Sequence, residues 1–279
     1  MLTLEKCKKE WEKSGKYGKP DERIKRNKLW MPYYSFVAEQ MLGAHYTENK
    51  SAREMLQFLI NEKALTAEDC VLDIGAGSGR YALEFAQLCK SVTAMDMNKA
   101  SLAVVEQYAN EIQLSNITTV PKAWEEYNTD DKFDFVFSAM CPAICNIDEI
   151  LKMENMCNRT CCLVAVGRGS YEKVRQDIMK LLPITKVSGM TTEALQYYNI
   201  LYLMGRQINV KTYSQHFEYE QTLDGLLAQY PMYFNIFGVD ESICKKVITE
   251  YFNSHSENGV LKDECQLNYS LIYWNINKE

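Results

Sequence analysis

The sequence predicts an α/β protein built on a doubly wound, mostly parallel sheet of seven strands. Three observations lead there. Short apolar runs without polar alternation recur through the middle of the 279-residue chain, as strands buried on both faces require. Stretches of helical periodicity separate them, at lengths that suit right-handed crossovers. A glycine-rich turn joins the first apolar run to the helix after it, and open α/β sheets bind ligands at that end of their strands.

Taken in order, residues 1–50 are rich in aromatics: Trp11, Tyr17, Trp30, Tyr33, Tyr34, Phe36 and Tyr46. They are expected to form helices laid as a cover over the carboxyl edge of the sheet. Ser51-Ala52-Arg53-Glu54 reads as a capping box opening a helix that aligns Met55, Leu56, Leu59 and Ile60. Strands follow at Cys70–Ile74, Ser91–Met95, Ile117–Val120, Phe133–Phe137 and Cys161–Val166. Between them, residues 80–89 align Ala82, Phe85, Ala86 and Cys89, and residues 99–113 align Leu102, Val105, Ala109 and Ile112. Residues 208–218 and 268–276 supply the last two strands, 192–206 a helix, and 221–259 two more. The expected organisation is a cover over 1–50 and one domain over 51–279, with helical insertions at about 184–206 and 221–259 serving as a lid. There is no internal repeat and no low-complexity tract.

A chain that is 47% hydrophobic and 24% charged has the means to bury a core. No apolar stretch approaches the roughly 20 residues of a membrane span. The opening MLTLEKCKKE lacks the apolar centre of a secretory signal, so the expected address is cytoplasmic. The formal charge of −6 is uneven: residues 1–28 carry ten Lys/Arg against five Asp/Glu. A basic arm of this kind can meet nucleic acid or an anionic substrate. The plainer reading, a solvated and partly helical tail, is preferred.

Chemistry concentrates in Asp73-Ile74-Gly75-Ala76-Gly77-Ser78-Gly79. Glycines at 75, 77 and 79 permit a ligand to approach the backbone. The dinucleotide fingerprint G-x-G-x-x-G would place its third glycine at residue 80, which is Arg80. The pattern is instead G-x-G-x-G, with Asp73 two residues ahead of the first glycine and Asp96 closing the second strand. Together VLDIGAGSGR and VTAMD resemble the first two motifs of the class I S-adenosylmethionine-dependent methyltransferases, over roughly residues 50–170. The resemblance implies a Rossmann-like fold, S-adenosylmethionine as cofactor and S-adenosylhomocysteine as product.

It further implies that Asp73 holds the methionine amino group, and that Gly75, Ala76, Gly77 and Gly79 let the cofactor pass close to the chain. Asp96 should accept from the ribose hydroxyls and Met97 should lie against adenine. After the third strand the acid common in that family is missing; Ala123 and Trp124 stand there, with Glu125 as a shifted candidate. The fourth strand runs into Ser138-Ala139-Met140-Cys141-Pro142, beside the transferring methyl in that fold, so Ser138 and Met140 are cofactor neighbours. Tyr33, Tyr34 and Cys141 are the candidate acceptor contacts. Tyr197, Tyr198 and Tyr202 also fall where the fold builds its cover.

No catalytic triad is evident, and methyl transfer from an activated sulfonium needs mainly orientation and exclusion of water. Cysteines cluster at 141, 145, 157, 161 and 162, but their spacings are not those of paired metal ligands, and they read as structural with no metal expected. His45, His216 and His255 offer no clear base. The sequence reads as a methyltransferase for a small-molecule acceptor. Its alternatives are an RNA or protein methyltransferase using the basic arm and, from another class, a nicotinamide-dependent oxidoreductase, which Asp73 and Arg80 disfavour. The acceptor and the oligomeric state do not follow from the sequence.

Overall fold

The computed structural model describes residues 3–11, 20–184 and 193–276. Tyr17 and residues 185–192 of the first expected insertion lie outside these. Five strands run parallel in the order β3-β2-β1-β4-β5: β1 (Cys70–Ile74), β2 (Ser91–Met95), β3 (Ile117–Val120), β4 (Phe133–Ala139) and β5 (Cys157–Val166). β8 (Leu261–Asn275) lies antiparallel against β5, with Leu163 opposite Ile272. β7 (Ile208–Gln221) pairs with β8 along its whole length, from Ile208↔Trp274 to Gln221↔Leu261. These are the seven expected strands. An eighth, the two-residue β6 (Tyr171–Glu172), adds to the first half of β8 beyond the end of β5.

Apolar layers cover both faces of the sheet. On one, α4 (Lys50–Asn61) buries Met55, Leu56 and Leu59, and α5 (Ala82–Leu88) brings Phe85 within 5.0 Å of the Phe137 ring. α6 (Lys99–Glu111) completes that layer with Leu102 and Val105. On the other face, Trp11 of α1 (Leu4–Trp11), Ile150 and Met153 of α7 (Ile147–Asn155), and Tyr197 and Leu201 of α9 (Ala194–Leu203) join Trp274. A third cluster lies beyond the sheet's end. Here α8 (Lys173–Leu181), α10 (Leu223–Asn235) and α11 (Glu241–His255) pack Ile178, Phe234 and Ile248 against Leu261 at the start of β8.

Two expectations about the N-terminal quarter are corrected. The cap of α4 is Asn49, whose side chain accepts from the Ala52 N–H at 3.1 Å; Ser51 already lies inside the helix, its hydroxyl donating to Asn49 Oδ1 and accepting from Arg80. Asn accepts at a helix start as well as Ser does. The basic arm is also not a solvated tail. Its helix α2 (Pro20–Lys28) places Arg23, 6% exposed, beside Glu125 at 3.4 Å and against Glu149. Arg23 is thus paired with acids more than a hundred residues away, while Lys6, Lys9, Lys25 and Lys28 stay exposed.

Several buried polar groups are satisfied in small networks. Glu154 accepts both Arg206 Nε and Nη2 at 2.7 Å and Trp274 Nε1 at 2.8 Å, and Trp274 is fully buried. Glu154→Ala should leave the indole N–H without its acceptor and the guanidinium without its fork, lowering unfolding free energy by about 2–3 kcal/mol. Urea denaturation checks this; a loss under about 0.5 kcal/mol would show that the network contributes nothing. No described helix is long and apolar enough to cross a membrane.

Candidate cofactor and acceptor site

The glycine loop is wound around the carboxyl end of β2. Gly75 N and Ala76 N both donate to the Met95 carbonyl, at 2.8 and 2.9 Å, and Gly79 N donates to Ala76 O at 3.0 Å. All three glycines have positive φ: +75° at Gly75, +54° at Gly77 and +88° at Gly79. They serve different ends. A Cβ on Gly75 would lie 2.5 Å from Cys141 Sγ, and one on Gly79 would meet Val105 and Leu83 at 3.0–3.1 Å. A Cβ on Gly77 would meet nothing within 4 Å. Gly75 and Gly79 are therefore required by the protein's own packing, whereas Gly77 faces open space.

Both acids flank that space. Asp96 holds the loop: its Oδ2 accepts from Gly77 N at 2.9 Å, and its Oδ1 from Asn98 N at 2.8 Å. Asn98 in turn caps α6 by accepting from Ala100 N at 3.1 Å. Met97 lies half-buried between the two. A carboxylate offers about four lone-pair directions, so Asp96 keeps capacity for a further donor. Asp73 is different. It is 2% exposed, and its Oδ2 is buried without a hydrogen-bond partner. Burial, with the Asp96 carboxylate alongside, pushes its carboxyl up to about 8. An orphaned buried acceptor is costly unless a donor arrives, and a cation relieves both the desolvation and the repulsion.

The wall opposite comes from the end of β4. Ser138 donates to Ile74 O at 3.0 Å, which fastens β4 to β1 and occupies its hydroxyl proton. Met140 has φ +49°, in the left-handed region that non-glycine residues rarely adopt. This turn presses Cys141 against Gly75; burial pushes the Cys141 thiol up to about 12, so it stands protonated. Ala123 and Trp124 are both buried, and the Trp124 ring belongs to the second apolar layer, with the Lys152 ammonium 4.3 Å from its centroid. Glu125 is committed to Arg23.

The cradle can now be set beside known proteins. Residues 71–161, from β1 to β5, match the family described as "Methyltransferase domain". This stretch is a methyltransferase domain on a Rossmann-like sheet. Its cofactor is S-adenosylmethionine, and the orphaned Asp73 oxygen and the open space at Gly77 fit that amino-bearing group. The methyltransferase is 26% identical over 257 residues to an uncharacterized protein of Haemophilus influenzae, covering 87% of each chain. It is 29% identical over 92 residues to a Methanobrevibacter smithii protein named "Probable cobalt-precorrin-6B C(15)-methyltransferase (decarboxylating)", covering 33% of this chain and 41% of that one. A solved Bacillus halodurans structure, provisionally assigned as a methyltransferase, superposes with a TM-score of 0.51 at 17% identity, covering 80% of this chain and 99% of that one, and so shares the fold.

The methyltransferase carries a roof of aromatic rings over this edge. α3 (Met31–Met41) runs across it, anchored to the cradle through Ser35 Oγ, which donates to Asn98 Oδ1 at 3.3 Å. Tyr34, 49% exposed, lies near Cys141 and Asp96. Tyr33, 5.4 Å from it ring to ring, points the other way and accepts from Gln229 Nε2 of α10 at 2.9 Å. Trp30, Tyr233 and Phe237 close the cluster. The other tyrosines expected in a cover are placed elsewhere. Tyr197 lies beneath the sheet against Trp11 and donates to Ile144 O, and Tyr198 and Tyr202 stack on each other at the surface. Among the described residues no three His, Cys, Asp or Glu side chains gather as a metal site, and all ten cysteines are free thiols.

Proposed function

We propose that the protein methylates a small molecule held between the cofactor cradle and the aromatic roof of α3 and α10. The observation that carries this reading is the Tyr33–Tyr34 pair, one ring facing the cradle and the other a side cavity. Enclosure by rings suits a compact acceptor. The net charge of −6, with Arg23 already paired to acids, is not the footprint of a polyanion-binding surface. In this reading residues 1–50 and the 221–259 insertion form the acceptor cover of the domain at 51–279, and the protein works in the cytoplasm.

The cofactor supplies a methyl group already activated on a sulfonium. The chain's part is to hold and orient. Asp73 would take the methionine ammonium, and the remaining acceptor capacity of Asp96 would take the ribose hydroxyls. Gly77 lets the cofactor lie against the backbone, with Met97 and Ala123 bounding adenine and Trp124 supporting that wall from behind. Met140 and Cys141 shape the floor beneath the transferring methyl, and Tyr34 excludes water above it. A protonated Cys141 is no base, so proton removal from the acceptor, where it is needed, falls to solvent or to the acceptor site.

Asp73 gives this assignment a pH signature. Its folded value, about 8, lies above the unfolded one of roughly 3.9. The neutral carboxyl therefore favours the ligand-free fold below about pH 4, and that contribution is lost as pH rises through 8. Binding an ammonium ionises Asp73. At pH 7 S-adenosylhomocysteine should release a proton from Asp73, and affinity should rise with pH toward 8. Calorimetry in buffers of different ionisation enthalpy measures the release. Absence of release in the wild type, or the same release in Asp73→Asn, would remove Asp73 from this role.

A further inference from the structure

Beyond Tyr33 lies a cavity of about 480 Å3, at the carboxyl end of β7 and the start of β8. Its volume is that of a small-molecule site. Four rings line it, Tyr33, Phe217, Tyr219 and Tyr230, together with the carboxylates Glu172 and Glu218; two glutamine amides and a thiol complete the wall. No lysine, arginine or histidine is among the lining residues. Arg175, beside the wall, is engaged on both sides: it pairs with Glu172 at 2.9 Å and lies 4.8 Å from the centroid of the Tyr233 ring. Behind the wall Asp263, 3% exposed, adds a further carboxylate and accepts from Gln221 Nε2 at 2.7 Å and Val174 N at 3.0 Å.

Resting on the methyltransferase reading above, we infer that this cavity receives a positively charged ammonium group of the acceptor. Rings present their electron-rich faces to a cation, and the carboxylates outnumber the one cation at the wall: Arg175 pairs with Glu172, whereas Glu218 and, behind the wall, Asp263 add further negative charge. Tyr33 adjoins Tyr34, so a molecule seated here reaches toward the cradle, and recognition and transfer occupy two ends of one site.

The test uses three probes of similar size, phenethylamine, 2-phenylethanol and 3-phenylpropionate, titrated by calorimetry into full-length protein saturated with S-adenosylhomocysteine. Phenethylamine should bind at least tenfold tighter than either other probe, and more weakly as salt rises. Glu218→Gln, at an exposed side chain, should cut that preference about threefold, and Glu172→Gln about tenfold. Both variants should bind S-adenosylhomocysteine as the wild type does, which reports an intact fold. Failure of phenethylamine to bind, equal binding of the three probes, or unchanged preference in both variants overturns the inference and leaves the methyltransferase reading standing. Failure of the wild type to bind S-adenosylhomocysteine overturns both.

Discussion

Asp96→Ala should weaken S-adenosylhomocysteine binding about 100-fold, which is roughly 2.7 kcal/mol. Two losses add up to that figure. The carboxylate is the proposed acceptor for the ribose hydroxyls, and hydrogen bonds to charged groups contribute about 1.5–3 kcal/mol each. It also holds Gly77 N and Asn98 N in place, so its removal slackens the loop before any ligand arrives. Asp96→Asn keeps one oxygen acceptor without the charge and should fall between, about 10-fold weaker. Calorimetric titration with a melting curve on each variant separates binding from unfolding. A folded Asp96→Ala protein that binds within threefold of the wild type would place the cofactor somewhere other than this cradle.

Gly75→Ala should damage stability and binding together, whereas Gly77→Ala should damage binding alone. At Gly75 a methyl would sit 2.5 Å from Cys141 Sγ and 2.9 Å from Cys141 Cβ, on a backbone with φ +75°. Overpacking and the left-handed conformation together should cost about 2–4 kcal/mol. Replacing Cys141 by Ala removes only the sulfur contact, so the double variant should recover part of that loss. At Gly77 the methyl meets no atom of the protein, and only the conformational cost of about 1 kcal/mol remains. It does enter the space assigned to the cofactor, so affinity should still fall more than tenfold. Urea denaturation and S-adenosylhomocysteine titration read the two effects. Undiminished binding in Gly77→Ala would mean that the open space beside it is not where the cofactor lies.

These contrasts show what was legible in the sequence. Glycine and acid spacing between two apolar runs marked the cradle, because nothing else asks for that order. The parallel strands were legible because burial leaves short, mostly apolar runs, with β3 at the sheet edge the least buried of them. β8 was caught only in its second half. Its first seven residues, LKDECQL, carry Asp263 at a buried position and Lys262 at an exposed one, so the period of two is hidden by a charge held inside by Gln221 and Val174. α7 and α8 were also missed: each is only nine residues long, and α7 is fixed by the Asn146 cap that accepts from Glu149 N rather than by a long apolar stripe.

The acceptor side was hardest to read, since it depends on residues brought together from opposite ends of the chain. Tyr33 meets Gln229, and Arg23 meets Glu125 and Glu149, across separations no local pattern encodes. The left-handed turn at Met140 leaves no mark in composition either, because it is imposed by the Met140 N–H bond to Val164 O and by the loop beneath.

β8 has a consequence for how the site can open. Its second half is a central strand of the main sheet, and its first half carries the helices that wall the acceptor cavity. Between the halves its pairing with β7 continues without a break from Leu261 to Trp274. One beam thus bears both the cofactor floor and the acceptor wall, and bending it would break a ladder held on both edges. α3 is seated on both sides, through Ser35 on Asn98, the Tyr108 hydroxyl on Met41 O and Gln229 on Tyr33, so the proposed cofactor and acceptor compartments should keep a fixed spacing through the reaction cycle.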